Sequence, residues 1–527
     1  MEEKNGDTDN ENNEEDNLES FMIILSGIYG ILLVVVGLVL PLAETQIHPL
    51  YIFEVFYLYL FVTSMVFLIY VYVFLLHGAN VGMSKLASLD SASNCSKFRK
   101  RRIAFDQTSN HHTGSFYLRL GAMGFGIGSM ILDGLYFGQF FDIPHILSHC
   151  NDVMEAVKPA FKFFFTFTQL YFIFQNSKYP SLARFGLMHM SATNICVWFR
   201  VIVVETLNSI AEANHFIAKA EQTHVINGIS PHSDPHPNEE LSCYWSDSIG
   251  KILMAASPYL YPFCVEYSLI CAAILYVMWQ NVGKKENKMD SQYFDEFDDG
   301  RHKRAHRMSV DCAGSSRGLF LGLLFFIFGV VSTIAFYVLK NSDNSNKTAD
   351  LLANLSETII YLFAIVSIIV ASVRMRTLKF KSLLKDRLEE ILILISVTGL
   401  YMFGVFNLIA GFYYHDSIEG VLTIVTNITM MTEATMQTIF MFATMRMSAS
   451  HPYHATEKPG TRIRNISITL SIAHNSLQLK FYGSTSWSIF EHISVPLGIF
   501  YRFHSTVCLS HVWKNAWKRK KQIRDKM

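Results

Sequence analysis

Nine polar or ionisable side chains lie within, or at the ends of, strongly apolar segments of the chain. They are Gln169, His189, Asn194, Glu205, Glu266, Gln437, Asn475, His492 and His504. Burying such groups in a membrane is costly, so each is a functional candidate by default. A carboxylate beside an imidazole can take up and release a proton near neutral pH. Amides donate and accept hydrogen bonds at once. These residue types together predict proton transfer.

The four amides are expected near the middle of the membrane. Gln169 and Asn194 fall at mid-depth on neighbouring apolar segments, and Gln437 and Asn475 take matching places later in the chain. Such amides can hold a file of waters or plug it. The alternative is that they only join helices through hydrogen bonds.

The acids and histidines are expected at several depths. Glu266 is near the middle, Glu205 and His492 are at the outer ends of their segments, and His189 is in the inner half. Glu205 and His492 could instead be interfacial caps in headgroup water. Glu266 could instead satisfy backbone groups freed by Pro262, four residues earlier.

Composition requires that membrane helices position these residues. Half of the 527 residues are apolar and only 17% are charged, whereas soluble proteins carry about 25% charge. These values argue against a soluble enzyme, a disordered chain and a disulfide-stapled secreted domain. Twelve apolar runs suit a bilayer span, namely 21–43, 51–77, 115–138, 154–176, 182–207, 252–280, 316–339, 356–374, 388–412, 418–445, 463–480 and 487–511. We therefore predict an all-α polytopic membrane protein with twelve transmembrane helices, the eleventh too polar to face lipid.

Basic residues set the predicted orientation. Lys and Arg concentrate in 78–113, 282–310, 374–387 and the tail after Trp513. The positive-inside rule places these segments and both termini in the cytoplasm. The sequons at Asn346 and Asn354 then fall in an outer connection, 341–355, where glycosylation is an option. The basic runs are short and flank apolar segments, which gives no support for nucleic-acid binding.

The outer connections hold two further candidate sites. Cys150 and Cys243 share the oxidising side and could form a disulfide or remain free thiols. The connection 208–250 is rich in histidine and acid, and it could sense external acid, bind zinc or be a mobile hydrophilic loop. Its candidate histidines are His215, His224, His232 and His236. No CxxC pair exists, so no structural metal site is predicted, and no cofactor motif is found.

A weak internal repeat relates the two parts of the chain. Gln169 and Gln437 each begin a Q-x-x-F-x-F string, and Asn194 and Asn475 each end an A-x-N string. The common offset of six spans predicts a parallel repeat about an axis along the membrane normal. The predicted organisation is a disordered acidic N-terminus (1–20), six-helix halves at 21–300 and 301–513, and a basic cytoplasmic tail (514–527).

Longer strings resemble the otopetrin family. They lie at 184–206, 258–279, 311–323, 481–483 and 496–513, and the resemblance extends from about Phe21 to Trp513. It implies a proton-selective channel of the plasma membrane that external acid opens. It also implies two six-helix halves, a homodimer, sterol-like lipid at the interfaces and inhibition by zinc.

The resemblance assigns residues to three proton routes. By motif match, Gln169, Asn194 and Glu205 belong to the first half, Gln437 and Asn475 belong to the second, and Glu205 with His492 are candidates for a route between halves. One position departs from the family: Gln478 stands where relatives usually have Trp. The second-half route is therefore expected to conduct differently, or poorly.

Two other function classes compete with a channel. A six-plus-six repeat also suits a secondary transporter that couples protons to a small solute. A membrane enzyme would need a nucleophile, a metal cluster or a phosphate loop, and none occurs at credible spacing. We therefore predict that the protein is not an enzyme.

Overall fold

The computed structural model describes residues 3–44, 51–73, 116–142, 153–174, 183–225, 249–282, 316–340, 346–376, 379–380, 387–448 and 476–517. The helices are α1 (Glu3–Glu44), α2 (Tyr51–Tyr70), α3 (Phe116–Asp142), α4 (Val153–Phe174), α5 (Ala183–Val225), α6 (Ile249–Asn281), α7 (Ser316–Lys340), α8 (Asn346–Met375), α9 (Arg387–Tyr413), α10 (Ile418–Met445), α11 (Ser476–Tyr482) and α12 (Ser484–Trp517). Two-residue strands β1 (Lys379–Phe380) and β2 (Met447–Ser448) pair antiparallel.

The predicted all-helical polytopic architecture is confirmed. A backbone in hydrocarbon must satisfy its own hydrogen bonds, and long helices do so within one segment. Eight stretches in the described residues are long and apolar enough to cross a membrane. They are Ser20–Glu44, Glu54–Val73, Leu118–Phe141, Ala183–Ala211, Ile249–Asn281, Phe320–Lys340, Lys347–Met375 and Glu389–Tyr413. Helices α4, α10 and α12 are absent from this set because charged and polar side chains interrupt their apolar sequence.

Three helix boundaries differ from the predictions. Helix α1 begins at Glu3, where the acidic sequence predicts disorder, and acidic residues are favourable near a helix N-terminus. Helix α8 begins at Asn346, ten residues before the predicted span. Of the predicted eleventh span, only its end from Ser476 is described, as α11. Gly483 then takes φ +78°, a conformation favourable for glycine, and α12 follows.

The chain divides into two compact units. The N-terminal unit contains Met1–Asn208 and Phe216–Asp299, and the C-terminal unit contains Ser209–His215 and Gly300–Met527. In the N-terminal unit, α4 packs between α2 and α3, and α3 also packs along α6. In the C-terminal unit, α9 packs against α10 and α12, and α8 packs against α7 and α10.

The outward surfaces of the helices are apolar. Phe141, Ile31, Phe320 and Val338 are each more than 60% exposed. Exposed apolar side chains on long helices suit lipid, which leaves the polar side chains to the interior of each unit.

Gly186 allows the close approach of α5 to α2, and Gly186→Ala is expected to destabilise the fold. A Cβ atom built at this position collides with the ring of Phe67. Overpacking of this kind costs about 1–3 kcal/mol, which thermal unfolding in detergent would report as a lower melting temperature. Gly124→Ala is the matched control, because its Cβ meets nothing within 4 Å. Equal melting temperatures for both variants would contradict the expectation.

Candidate functional site

A reciprocal amide pair lies at the centre of the N-terminal unit. Gln169 on α4 donates from Nε2 to Asn194 Oδ1 at 3.1 Å, and Asn194 on α5 donates from Nδ2 to Gln169 Oε1 at 2.8 Å. Both residues are almost wholly buried. The structure thus brings together two of the residues that the sequence predicted on neighbouring segments.

Tyr267 on α6 completes this amide cluster, which we define as Gln169, Asn194 and Tyr267. Gln169 Nε2 also donates to the Tyr267 hydroxyl at 3.1 Å, and that hydroxyl donates to Thr166 O at 3.0 Å. Asn194 Nδ2 uses its second hydrogen on Met190 O at 2.7 Å. All five N–H and O–H hydrogens of the cluster therefore have an acceptor.

The cluster joins α4, α5 and α6 and leaves only acceptor capacity unused. A carbonyl or phenol oxygen has two lone pairs, so water beside the cluster can donate to it. This geometry suits a narrow hydrogen-bonded constriction. It also fits the alternative in which the amides hold helices together, because all three side chains cross between helices.

The C-terminal unit repeats part of this geometry. The Tyr501 hydroxyl on α12 donates to Ala434 O at 2.9 Å. Ala434 is three residues before Gln437, just as Thr166 is three residues before Gln169. Gln437 is fully buried, and its amide atoms have no hydrogen-bond partner among the described residues. Asn475 lies outside the described residues.

Glu205 lies near the middle of the long helix α5, eleven residues beyond Asn194. Its Oε1 accepts a hydrogen bond from Ser257 Oγ at 2.8 Å and a longer one from the Tyr136 hydroxyl at 3.4 Å. Glu205 is 7% exposed. It therefore belongs to a polar layer formed by α3, α5 and α6 rather than to open headgroup water. Glu266 is fully buried beside Tyr267 on α6.

His189 lies five residues before Asn194 on α5 and is also buried. Its Nε2 is 3.2 Å from Leu60 O, and its Nδ1 is 2.8 Å from the Tyr29 hydroxyl. A carbonyl can only accept, so Nε2 carries a hydrogen and, in the neutral ring, Nδ1 accepts from Tyr29. The Tyr29 hydroxyl is also 3.1 Å from that of Tyr59.

The other two predicted histidines lie on α12. The His504 ring is fully buried, with Nε2 3.2 Å from Glu389 O, and it stacks on Phe500. His492 is half-buried and donates from Nδ1 to Ser488 O at 2.7 Å. Glu205 and His492 belong to different units, so their pairing stays a prediction.

Comparison with known proteins decides the family. The family model named Otopetrin matches residues 117–241 and 217–503, which is well over half of the chain. The chain belongs to the otopetrin family. It is similar to Proton channel OtopLc of Drosophila melanogaster, with 33% identity over 95% of this chain and 36% of the relative. It is also similar to Proton channel OTOP2 of Homo sapiens, with 23% identity over 76% of this chain and 82% of the relative. This otopetrin thus spans about a third of the length of the Drosophila relative.

Two buried ion pairs in this otopetrin were not selected as candidates from its sequence. Lys162 Nζ on α4 is 2.6 Å from Asp133 Oδ1 on α3. Arg502 Nη1 on α12 is 2.6 Å from Glu433 Oε2 on α10. The sequence did contain one signal for these pairs. Lys162 lies seven residues before Gln169, and Glu433 lies four residues before Gln437. These spacings place each charged residue near the same helix face as its glutamine.

Gln478, the position at which the resemblance predicts a departure from the family, lines a small, partly open polar pocket in the C-terminal unit. It donates from Nε2 to Asn407 Oδ1, and its Oε1 has no hydrogen-bond partner among the described residues. The other lining residues come from α8, α9 and α10 and are Ala353, Asn354, Glu357, Phe403, Thr423, Thr426, Asn427 and Met430. An amide is thus accommodated here because its neighbours are polar too.

The structure argues against glycosylation at Asn354. This asparagine is buried within α8, and its amide donates to Asp350 O at 3.1 Å, because α8 extends through the predicted outer connection. Other candidates cannot be placed in this way. Cys150, Cys243, His232 and His236 lie outside the described residues, and only the helical backbone is described for His215, His224 and Asn346. Within the described ranges, no group of three or more His, Cys, Asp or Glu side chains could hold a metal ion.

Proposed function

We propose that this otopetrin is a proton-selective channel, opened by extracellular acid, that conducts protons into the cytosol. The observation that carries the proposal is the buried amide cluster of Gln169, Asn194 and Tyr267, in a chain whose relatives are named proton channels. A negative cytoplasm favours proton entry by about 2.3 kcal/mol per charge per 100 mV.

The first proton route follows α5. His189, Asn194 and Glu205 occur in this order along the helix, and a rise of about 1.5 Å per residue puts about 24 Å between the outer two. This distance is comparable to the hydrocarbon core of about 30 Å. With the predicted orientation, protons enter beside Glu205, pass the amide cluster and leave beside His189.

Protons are favoured over metal cations because of how each one moves. A proton crosses hydrogen-bonded groups and water by exchanging bonds, whereas a metal ion must bring or replace its hydration shell. The amide cluster presents no carboxylate and no ring of carbonyl oxygens that could replace such a shell.

A second route would run through the C-terminal half. Gln437 with Asn475, and Tyr501 in the place of Tyr267, would form its constriction, and His504 lies further along α12. The shared tyrosine-to-carbonyl contact supports a parallel repeat of two six-helix halves, 21–300 and 301–513, with twelve spans. A third route would lie between the halves, beside Glu205 and His492.

The proposal extends to the setting of the channel. It places a homodimer in the plasma membrane, with both termini in the cytoplasm and sterol-like lipid at its interfaces. His215, His224, His232 and His236 are the candidates for acid sensing or inhibition by zinc. Cys150 with Cys243 and the sequon at Asn346 are the candidates for outer-side modification.

Purified protein in sealed liposomes tests the function. With potassium and valinomycin clamping the potential and a pH dye inside, an imposed acid gradient should dissipate faster than in empty liposomes. No solute should be needed, which separates a channel from a coupled transporter. An unchanged gradient, or equal leakage of sodium, would refute proton-selective conduction.

Neutralising Glu205 or His492 tests the outer entry. Glu205→Gln keeps hydrogen bonding but removes the titratable charge, so we expect acid-evoked current to fall and its dependence on external pH to shift. His492→Asn should shift that dependence if His492 faces the same entry. Whole-cell recording during external acid steps measures both. Unchanged current and pH dependence in both variants would remove them from the mechanism.

A further inference from the structure

The Asp133–Lys162 ion pair lies between Glu205 and the amide cluster. Helices α6 and α3 each give this order, and α4 agrees with it. Three residues of α6, taken in chain order, contact the three groups in turn. Ser257 contacts Glu205, Cys264 contacts Lys162, and Tyr267 contacts Gln169. On α4, Lys162 lies seven residues before Gln169, which is about 10 Å along the axis.

Helix α3 gives the same order in the opposite chain direction. Gly126 faces the Tyr267 ring, Ser129 hydrogen-bonds Cys264 Sγ at 3.0 Å, Asp133 pairs with Lys162, and Tyr136 reaches Glu205. These contacts form successive layers, and the ion pair occupies the layer through which a proton from Glu205 must pass to reach the amides.

The ion pair has one open position. Asp133 is 2% exposed, and its Oδ1 is occupied by Lys162 at 2.6 Å. Its Oδ2 is buried and has no hydrogen-bond partner among the described residues. A buried carboxylate oxygen without a donor is a strong acceptor for water or a proton. The charged and titratable groups around it are Lys162 on α4, Cys264 on α6, and Tyr267 about one turn further along α6.

We propose that Asp133 and Lys162 form a proton-loading site that excludes metal cations from the first route. The inference rests on the proposed function and names the residues that give it selectivity. A hydronium ion on the outer side transfers its proton to Asp133 Oδ2, which leaves water and a neutral carboxyl. The carboxyl then passes the proton to a water on the side of the amide cluster and becomes a carboxylate again.

Lys162 supplies the exclusion. Its ammonium is a fixed positive charge in a low-dielectric layer, so it repels any cation that approaches with its charge intact. A proton avoids this repulsion because Asp133 takes it up as a covalent O–H bond and so neutralises it. Sodium and potassium cannot form such a bond, so either ion would have to stay beside the Lys162 ammonium, whose charge already balances the Asp133 carboxylate.

A second ion pair on the same helix provides the matched control. Lys158 lies one turn before Lys162 and pairs with Glu54 on α2 at 2.5 Å, with side-chain exposures of 23% and 12%. This pair joins α4 to α2, whereas the proposed site joins α4 to α3 and α6. Lys158→Gln thus removes an equal charge from the same helix without altering the proposed site.

Proteoliposome fluxes of protons and of sodium, measured on the full chain, test the inference. Lys162→Gln should raise sodium flux about tenfold or more, because a fixed charge changes the entry of ions by that order. Asp133→Asn should lower proton flux about tenfold or more, because a positioned proton carrier is lost. Lys162→Arg should keep sodium excluded, and Lys158→Gln should leave both fluxes within about twofold of the parent.

The outcomes separate the inference from the proposed function. If the parent conducts protons while Lys162→Gln and Asp133→Asn keep its fluxes, the inference is wrong and the proposed function stands. If the parent conducts no protons, the proposed function itself fails. Lys162→Gln leaves Asp133 without its cation, and where that variant does not fold, Asp133→Asn/Lys162→Gln removes both charges. This double variant should lose proton flux and admit sodium, and parent-like fluxes from it would overturn the inference.

Discussion

Gln169→Leu is expected to lower proton flux through the first route by about 5- to 150-fold. Leucine removes the groups that bond Asn194 and Tyr267, and it leaves their donor and acceptor atoms buried. An unsatisfied buried polar group costs about 1–3 kcal/mol, and a barrier raised by this amount slows passage by the stated factor. The effect is measured as proton flux into liposomes. Both proteins compared also carry Gln437→Leu, which removes the corresponding glutamine of the second route.

Thr168→Val is the matched control for this substitution. Thr168 is the neighbouring residue on α4, but among the described residues its hydroxyl bonds only to the carbonyls of Phe164 and Phe165 within the same helix. Its loss should leave proton flux within about twofold, as a local side-chain bond of this kind contributes little. If Gln169→Leu and Thr168→Val conduct equally, the amides serve only to join helices.

Arg502→Leu is expected to destabilise the C-terminal unit by about 3–5 kcal/mol, the cost of leaving a buried charge without its partner. Glu433 is 0% exposed, so water cannot replace the lost guanidinium. Arg502 also lies over the Tyr361 ring, 5.4 Å from its centroid, and this contact is lost as well. Thermal unfolding in detergent, followed by tryptophan fluorescence, should show a much lower midpoint or no folded protein.

Two further variants separate lost charge balance from lost packing. Glu433→Gln/Arg502→Met removes both charges at similar volume and should regain most of the stability, because replacing a buried pair is often neutral. Arg446→Leu removes an exposed arginine paired with Glu390 at 2.8 Å, and such pairs contribute about 0–1 kcal/mol. A double variant as unstable as Arg502→Leu would show that the charges are not the reason.

The amide pair could be predicted from the sequence because its partners lie on neighbouring apolar segments at equal depth. Gln169 and Asn194 are the polar side chains that the two segments bury near their middles, and buried polar side chains form hydrogen bonds with one another. Tyr267 could not be selected in this way, since tyrosine is common in apolar helices. Its role depends on the rotation of α6, which turns the phenol toward Gln169.

The ion pairs were harder to predict than the amides. From the sequence alone, Arg119 and Arg200 were the bases considered for an ion pair with Asp133. The structure pairs Asp133 with Lys162 instead, because of how α3 and α4 are rotated and shifted along each other. The rise of a helix lets a sequence predict the depth of a residue in the membrane. It does not predict how two neighbouring helices are rotated or shifted relative to each other. Helix ends were uncertain for a related reason, because α8 continues past its apolar run to Asn346.

All five N–H and O–H hydrogens of the amide cluster are engaged in hydrogen bonds, and this limits how quickly one proton can follow another. When a proton moves along a hydrogen-bonded chain, every dipole behind it is left reversed and must turn back before the next transit. Here Asn194 and Tyr267 each hold one hydrogen on a main-chain carbonyl, of Met190 and Thr166 respectively, so turning back means breaking a bond to a rigid helix. Reorientation then limits turnover, and each pore should carry a small unitary conductance that saturates early as the driving force grows.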